Sequence, residues 1–166
     1  ASSMHRDAFT SFIEGDERLA KNVVARDLEV NRLYFLLVRV LRTVIQHPGL
    51  SEKLGVVAID CLDYRLAASL VEAIGDQSVQ LAESAIEMKG TSIDKNLVQP
   101  LQRLHKIAFD THENALRAMF SRDIGLAETI RNQRKAIESL VNEAESLAHK
   151  NYSEVAPQVL DEVRSI

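Results

Sequence analysis

The chain is short of cysteine, proline and glycine, with one, three and six among 166 residues, and each shortage excludes something. A single thiol, Cys61, rules out an internal disulfide. A chain without one suits a reducing compartment such as the cytoplasm. No base adjoins Cys61 in sequence to activate it, and its flanks, Ile59 and Leu62, mark it as a small core residue. Little Gly and Pro means little to interrupt a helix, so long helices are expected. Long hydrophobic runs are also missing. The best of them, residues 33–38, is broken by Arg39 and Arg42, far short of the ~20 residues that cross a bilayer. No signal peptide is visible, and no membrane insertion is expected.

Charge is not one-sided. The formal net charge is −4, which leaves no electrostatic footprint for nucleic acid. Arg131, Arg134 and Lys135 cluster weakly and read as a solvated helix face. There is no Gly-rich phosphate loop and no nucleophile elbow, and no Ser/His/Asp set assembles from a local signature. Glu-x-x-His is absent, which argues against a ferritin-like di-iron oxidase. A non-enzyme is expected. The opening Ala1-Ser2-Ser3-Met4 reads as a cloning remnant or the edge of an excised fragment.

What is present is helical periodicity. The pattern predicts an all-α, elongated antiparallel bundle. A short helix falls at residues 4–13, ended by Gly15, with Asp16 capping a second at 17–46. Val24, Tyr34, Val38, Leu41 and Ile45 form its apolar stripe. His47-Pro48-Gly49 stops it, and Ser51 is the expected cap of a third helix reaching residue 88. Leu62, Leu66, Leu70 and Ala73 lie along one stripe there. Gly90 closes that helix, and residues 91–96 read as a polar connection. Further helices are expected at 96–120, with Pro100 in the first turn, at 123–150, and at 153–163. A shift of 107 residues superposes Asp16 on Asp123, Leu19-Ala20 on Leu126-Ala127 and Leu33 on Leu140. One domain of two three-helix units is the expectation, at about 4–90 and 95–166, the second truncated.

Two acidic positions interrupt the apolar pattern. Asp27 and Asn31 stand four apart on the second helix, and Glu72 and Asp76 stand four apart on the third. That spacing puts each pair on one helix face. A hairpin turning near Gly49 or Leu50 would bring Asp27 level with Glu72, with the other members about one turn, ~6 Å, away. Oxygen donors so arranged suit Mg²⁺, Ca²⁺, Mn²⁺ or iron. They equally suit ion pairs with Arg26, Arg32 or Arg65, or packing of acidic faces between copies of the chain. On the fourth helix, His105, Asp110, His112 and Glu113 cluster, and read as surface or rim residues.

Residues 26–39, RDLEVNRLYFLLVR, resemble the second helix of PhoU domains. The likeness is closest to archaeal members, where the segment usually reads Glu/Asp-Val-Asp-Arg-Leu. Residues 63–83, DYRLAASLVEAIGDQSVQLAE, resemble the family's third helix, Glu-Arg-Ile-Gly-Asp-His-Ala-x-x-Ile-Ala-Glu. The resemblance implies two three-helix units and a regulator of phosphate uptake, commonly a negative one. It implies the phosphate ABC transporter or an associated regulatory protein as partner, a homodimer, and metal clusters on the acidic motifs. In archaeal relatives the PhoU part often follows an AbrB-like DNA-binding domain, which ties the family to transcription. Asp27, Asn31, Glu72 and Asp76 are the metal-site candidates on this resemblance. The chain departs from the pattern at Asn31, an amide where an acid is usual, at Ala73 for Arg and at Gln77 for His. In the second half, Arg134 and Glu138 stand where Asp27 and Asn31 stand in the first.

Overall fold

The computed structural model describes residues 1–88 and 93–151 and contains six α-helices, with no strand among the described residues. They are α1 Ser2–Glu14, α2 Glu17–Gln46, α3 Pro48–Leu54, α4 Ala58–Glu87, α5 Lys95–Ser121 and α6 Ile124–Asn151. The expected helix at 153–163, the Gly90 stop and residues 91–92 lie outside the described residues.

The local signals act as their chemistry dictates. Gly15 ends α1 in the left-handed region at φ 68°, where the missing Cβ removes the clash. Asp16 caps α2 by accepting from the Leu19 N–H at 2.9 Å. Asp123, 107 residues later, accepts from the Leu126 N–H at the same 2.9 Å. The two aspartates that the 107-residue shift superposes thus cap their helices in the same way.

Three expectations need correction. The third helix does not run from Ser51. Pro48 opens a separate seven-residue helix, α3, and Gly55 at φ 63° ends it. Ser51 sits within α3 and donates its hydroxyl to the Val56 carbonyl rather than capping a long helix. Second, α5 starts at Lys95, capped by Asp94, so Pro100 lies in the second turn, inside the helix. Third, the Leu62, Leu66 and Leu70 stripe is not core: these residues are 57, 62 and 60% exposed. The buried face of α4 is the opposite, small-residue one, with Cys61, Gly75, Ser78, Leu81, Ala82 and Ala85. Ile45 of α2 is exposed as well, whereas Cys61 is buried as expected.

α2 and α4 form a long antiparallel hairpin, and α5 pairs with α6. α1 packs on α4 and α2 and touches α5. Met4, Ala8, Phe9 and Phe12 enter a core shared with Ala20 and Val23 of α2, Leu81, Ala82 and Ala85 of α4, and Leu97, Leu101 and Leu104 of α5. A second, smaller core of Leu41, Val44 and Cys61 closes the far end of the hairpin over α3. Arg122 donates to Asp60 at 3.1 Å and fastens the end of α5 to the start of α4.

Burial predicts the ranking of substitutions. Leu81→Ala opens a cavity in the shared core and is expected to cost roughly 2–5 kcal/mol. Leu66→Ala, on the open stripe, is expected to stay within about 0.5 kcal/mol. Urea unfolding of both variants checks the contrast.

Candidate functional site

Asp27 and Asn31 share one face of α2, and the Asn31 Nδ2 donates to Asp27 Oδ2 at 2.6 Å. The other oxygen, Asp27 Oδ1, is buried with no hydrogen-bond partner. Gly75 of α4 faces it. A Cβ on Gly75 would stand 3.3 Å from Val30 Cγ1 and 3.9 Å from Asp27 Oδ1, so glycine here lets α4 close on α2 beside the carboxylate. Glu72, one turn back on α4, has its carboxyl pushed above the usual range. Desolvation is the main cause, followed by the charges of Asp76 and Asp27.

The four predicted residues therefore gather along one stretch of the hairpin, but in a register different from the expected one. The connection from Gln46 to Ala58 is centred on residue 52, not 49 or 50, because α3 is inserted in it. Asp27 accordingly meets Gly75 and the start of the next turn, rather than standing level with Glu72. The basic neighbours do not neutralise the group. Arg26 pairs with Asp7 of α1 at 2.6 Å. Among the described residues Arg32 and Arg65 form no ion pair. Nor do three His, Cys, Asp or Glu side chains converge in a metal-ligating set among the described residues. The equivalent pair in the second half, Arg134 and Glu138, forms an exposed ion pair at 2.9 Å.

His105 and His112 sit at the rim, half-buried. His105 stacks on Phe9 with ring centroids 4.0 Å apart, and His5 of α1 lies 4.7 Å from His105. His5 is 9% exposed, and His105 Nδ1 and His112 Nε2 are buried without partners. His5 was missed in the sequence because nothing local marks it. It joins the other two only when α1 lies on α5. Burial pushes His5 down to about 4, with His112 adding to the shift. It does the same to His105, reinforced by His5 and Arg6. His112 is lowered too, mainly by burial and against the pull of Glu113. Glu113 itself accepts from Ser2 at 2.5 Å, and Asp110 pairs with Lys106 on the exposed side.

The model of the PhoU domain matches residues 1–85. The chain belongs to the PhoU family. The match covers α1, α2, α3 and most of α4, the half of this PhoU chain that holds the acidic hairpin. No curated protein and no solved structure matches the chain. PhoU is a regulatory family rather than an enzymatic one. Within the described residues no helix is long and apolar enough to cross a membrane.

The histidine seam predicts a pH profile. Each lowered histidine binds its proton less readily in the folded chain than in the unfolded one. Its contribution to stability is therefore complete above pH 6.5 and is lost as pH falls toward 4. For His5 the loss between pH 7 and 5 is roughly 1–2 kcal/mol. Urea midpoints across that range should fall for the native chain and fall less steeply for His5→Leu, in which His105 and His112 still titrate.

Proposed function

We propose that this PhoU chain is a cytoplasmic, non-enzymatic regulator of phosphate homeostasis. It acts by contact with the phosphate ABC transporter or a regulatory protein attached to it, and it lowers uptake. The observation carrying this reading is the family match over the half of the chain that forms the α1–α2–α4 unit. The absence of a Ser/His/Asp arrangement or Gly-rich loop in the sequence agrees with a role in binding rather than turnover. Ile59, Leu62, Leu66 and Leu70 leave one face of α4 apolar and open, which supports pairing of two copies. Regulation by such a bundle requires that a signal bind one of two states better than the other. Deleting the gene in its host should raise phosphate uptake at high external phosphate, measured with radiolabelled phosphate. Unchanged uptake would sink the reading.

A second reading, a metal-binding bundle, rests on the orphaned Asp27 Oδ1 and the perturbed Glu72. Two or three carboxylates without further donors fit a hard cation that keeps most of its waters, as Mg²⁺ does, rather than a closed cluster. Metal storage or metal-dependent catalysis would need more protein ligands than these. Asn31→Asp tests it. The change removes the amide donor to Asp27 and adds a negative charge, and in chelator it should cost roughly 1–3 kcal/mol. Millimolar Mg²⁺ or Mn²⁺ should restore the loss if the hairpin holds a cation. Thermal melting that ignores both ions in the native and Asn31→Asp chains would rule the site out.

A further inference from the structure

The middle of the α2–α4 hairpin is cationic on a chain that is acidic overall. Residues 30–46 of α2 include Arg32, Arg39 and Arg42 and no acid, and residues 64–71 of α4 include Arg65 and no acid. At the chain's average of 24 acids in 166 residues, stretches of this length would hold several. The two stretches are neighbours in space. Val30 meets Gly75, and Leu41 and Val44 share a core with Cys61, a register that brings Arg39 level with Arg65. All four arginines are exposed, and none forms an ion pair among the described residues.

The arginines also share a face. Two residues turn a helix by about 200°. Leu37 of α2 and Ala67 of α4 line an apolar groove beside α5. Phe35 and Arg39, two residues either side of Leu37, therefore point away from that groove. So does Arg65, two residues before Ala67. Asp63, two before Arg65, is turned back by the same rotation, and Glu72 lines the groove itself. Ala1 lies on the groove side as well, so the arginine face is on the other side of the hairpin from it.

Arg32, Phe35, Arg39 and Arg42 follow at steps of three and four, a ridge about 15 Å long. Phe35 on it is 62% exposed, and Leu36 beside it is 48% exposed. A convex ridge suits a broad surface better than a narrow peptide. Its apolar residues stand between guanidinium groups, whose long stems can lie along hydrocarbon while the charge stays at a polar boundary. Nucleic acid would satisfy the arginines and leave Phe35 and Leu36 in water. A bilayer with acidic headgroups satisfies both, its phosphates accepting from the arginines and its acyl chains taking the ring.

The geometry points to this face as a docking surface for a membrane rich in acidic phospholipid. The chain lies on the bilayer and does not span it. Phe35 and Leu36 reach the top of the acyl chains, and Arg32, Arg39, Arg42 and Arg65 sit among the phosphates. The net charge of −4 then orients the chain, because its acidic remainder is repelled and only this face approaches. The inference goes beyond the phosphate reading and does not depend on it.

The chain has no tryptophan, so Phe35→Trp in the full chain supplies a single reporter. Vesicles of phosphatidylglycerol and phosphatidylcholine should shift its emission to the blue, and brominated acyl chains should quench it. Pure phosphatidylcholine vesicles should do neither, and added salt should release the chain. Arg39→Ala with Arg65→Ala should weaken binding at least tenfold, since each basic residue at an anionic surface contributes roughly fivefold. Arg131→Ala with Arg134→Ala removes equal charge from α6 and should leave binding within about twofold. Circular dichroism checks the fold of each. Should the first pair fail to fold, Arg32→Ala and Arg42→Ala replace it singly, each with a loss of roughly fivefold. Unshifted emission on the anionic vesicles, emission that brominated chains leave unquenched, or equal binding to neutral vesicles would overturn the proposal. So would equal losses in the two double variants, or a shift that RNA or polyglutamate produces and the vesicles do not.

Discussion

The bundle depends on the seating of α1 against α2 and α4. α1 has 13 residues and the helices it packs between, α2 and α4, have 30 each. At 1.5 Å per residue that is about 20 Å of helix laid in a seam of about 45 Å. Where α1 lies, its Met4, Ala8, Phe9 and Phe12 complete a core with three other helices. Toward the other end of the hairpin a small separate core around Leu41, Val44 and Cys61 holds the turn.

The buried polar groups sit along the seams that α1 and the hairpin create. The three histidines occupy the joint between α1 and α5, a contact that ties α1, α2 and α4 to α5 and α6. Keeping them neutral lets Phe9 and Phe109 pack against imidazole without the cost of a buried charge. The carboxylates gather where α2 meets α4, and Gly75 brings the helices close enough for Asp27, Glu72 and Asp76 to feel one another. Asn31 relieves part of that repulsion by donating to Asp27. An amide at this position thus has a structural use that an acid would lack without a cation.

Much of the fold was legible because its signals are local. Gly15, Asp16, His47-Pro48 and Asp123 each act through backbone groups within a few residues, and the helix ends follow them closely. The candidate site was legible in its members and not in its register. The inserted α3 moved the centre of the connection to residue 52 and shifted Asp27 from Glu72 toward Gly75 and Asp76. The leucine stripe of α4 misled because hydrophobic periodicity reports which face is apolar, not which face finds a neighbour. In α4 the buried face is the one lined by small residues, since close helix approach needs small side chains more than large ones.

The sequence by itself determined the all-α class, the capping positions, the buried Cys61 and the acidic residues that share helix faces, because these follow from spacing along one helix. Only the tertiary structure decided which faces were covered, that His5 joins His105 and His112, and that Asp27 keeps an unpartnered oxygen. Those outcomes depend on the relative position of helices far apart in the chain. Period and propensity within each helix carry no information about that position.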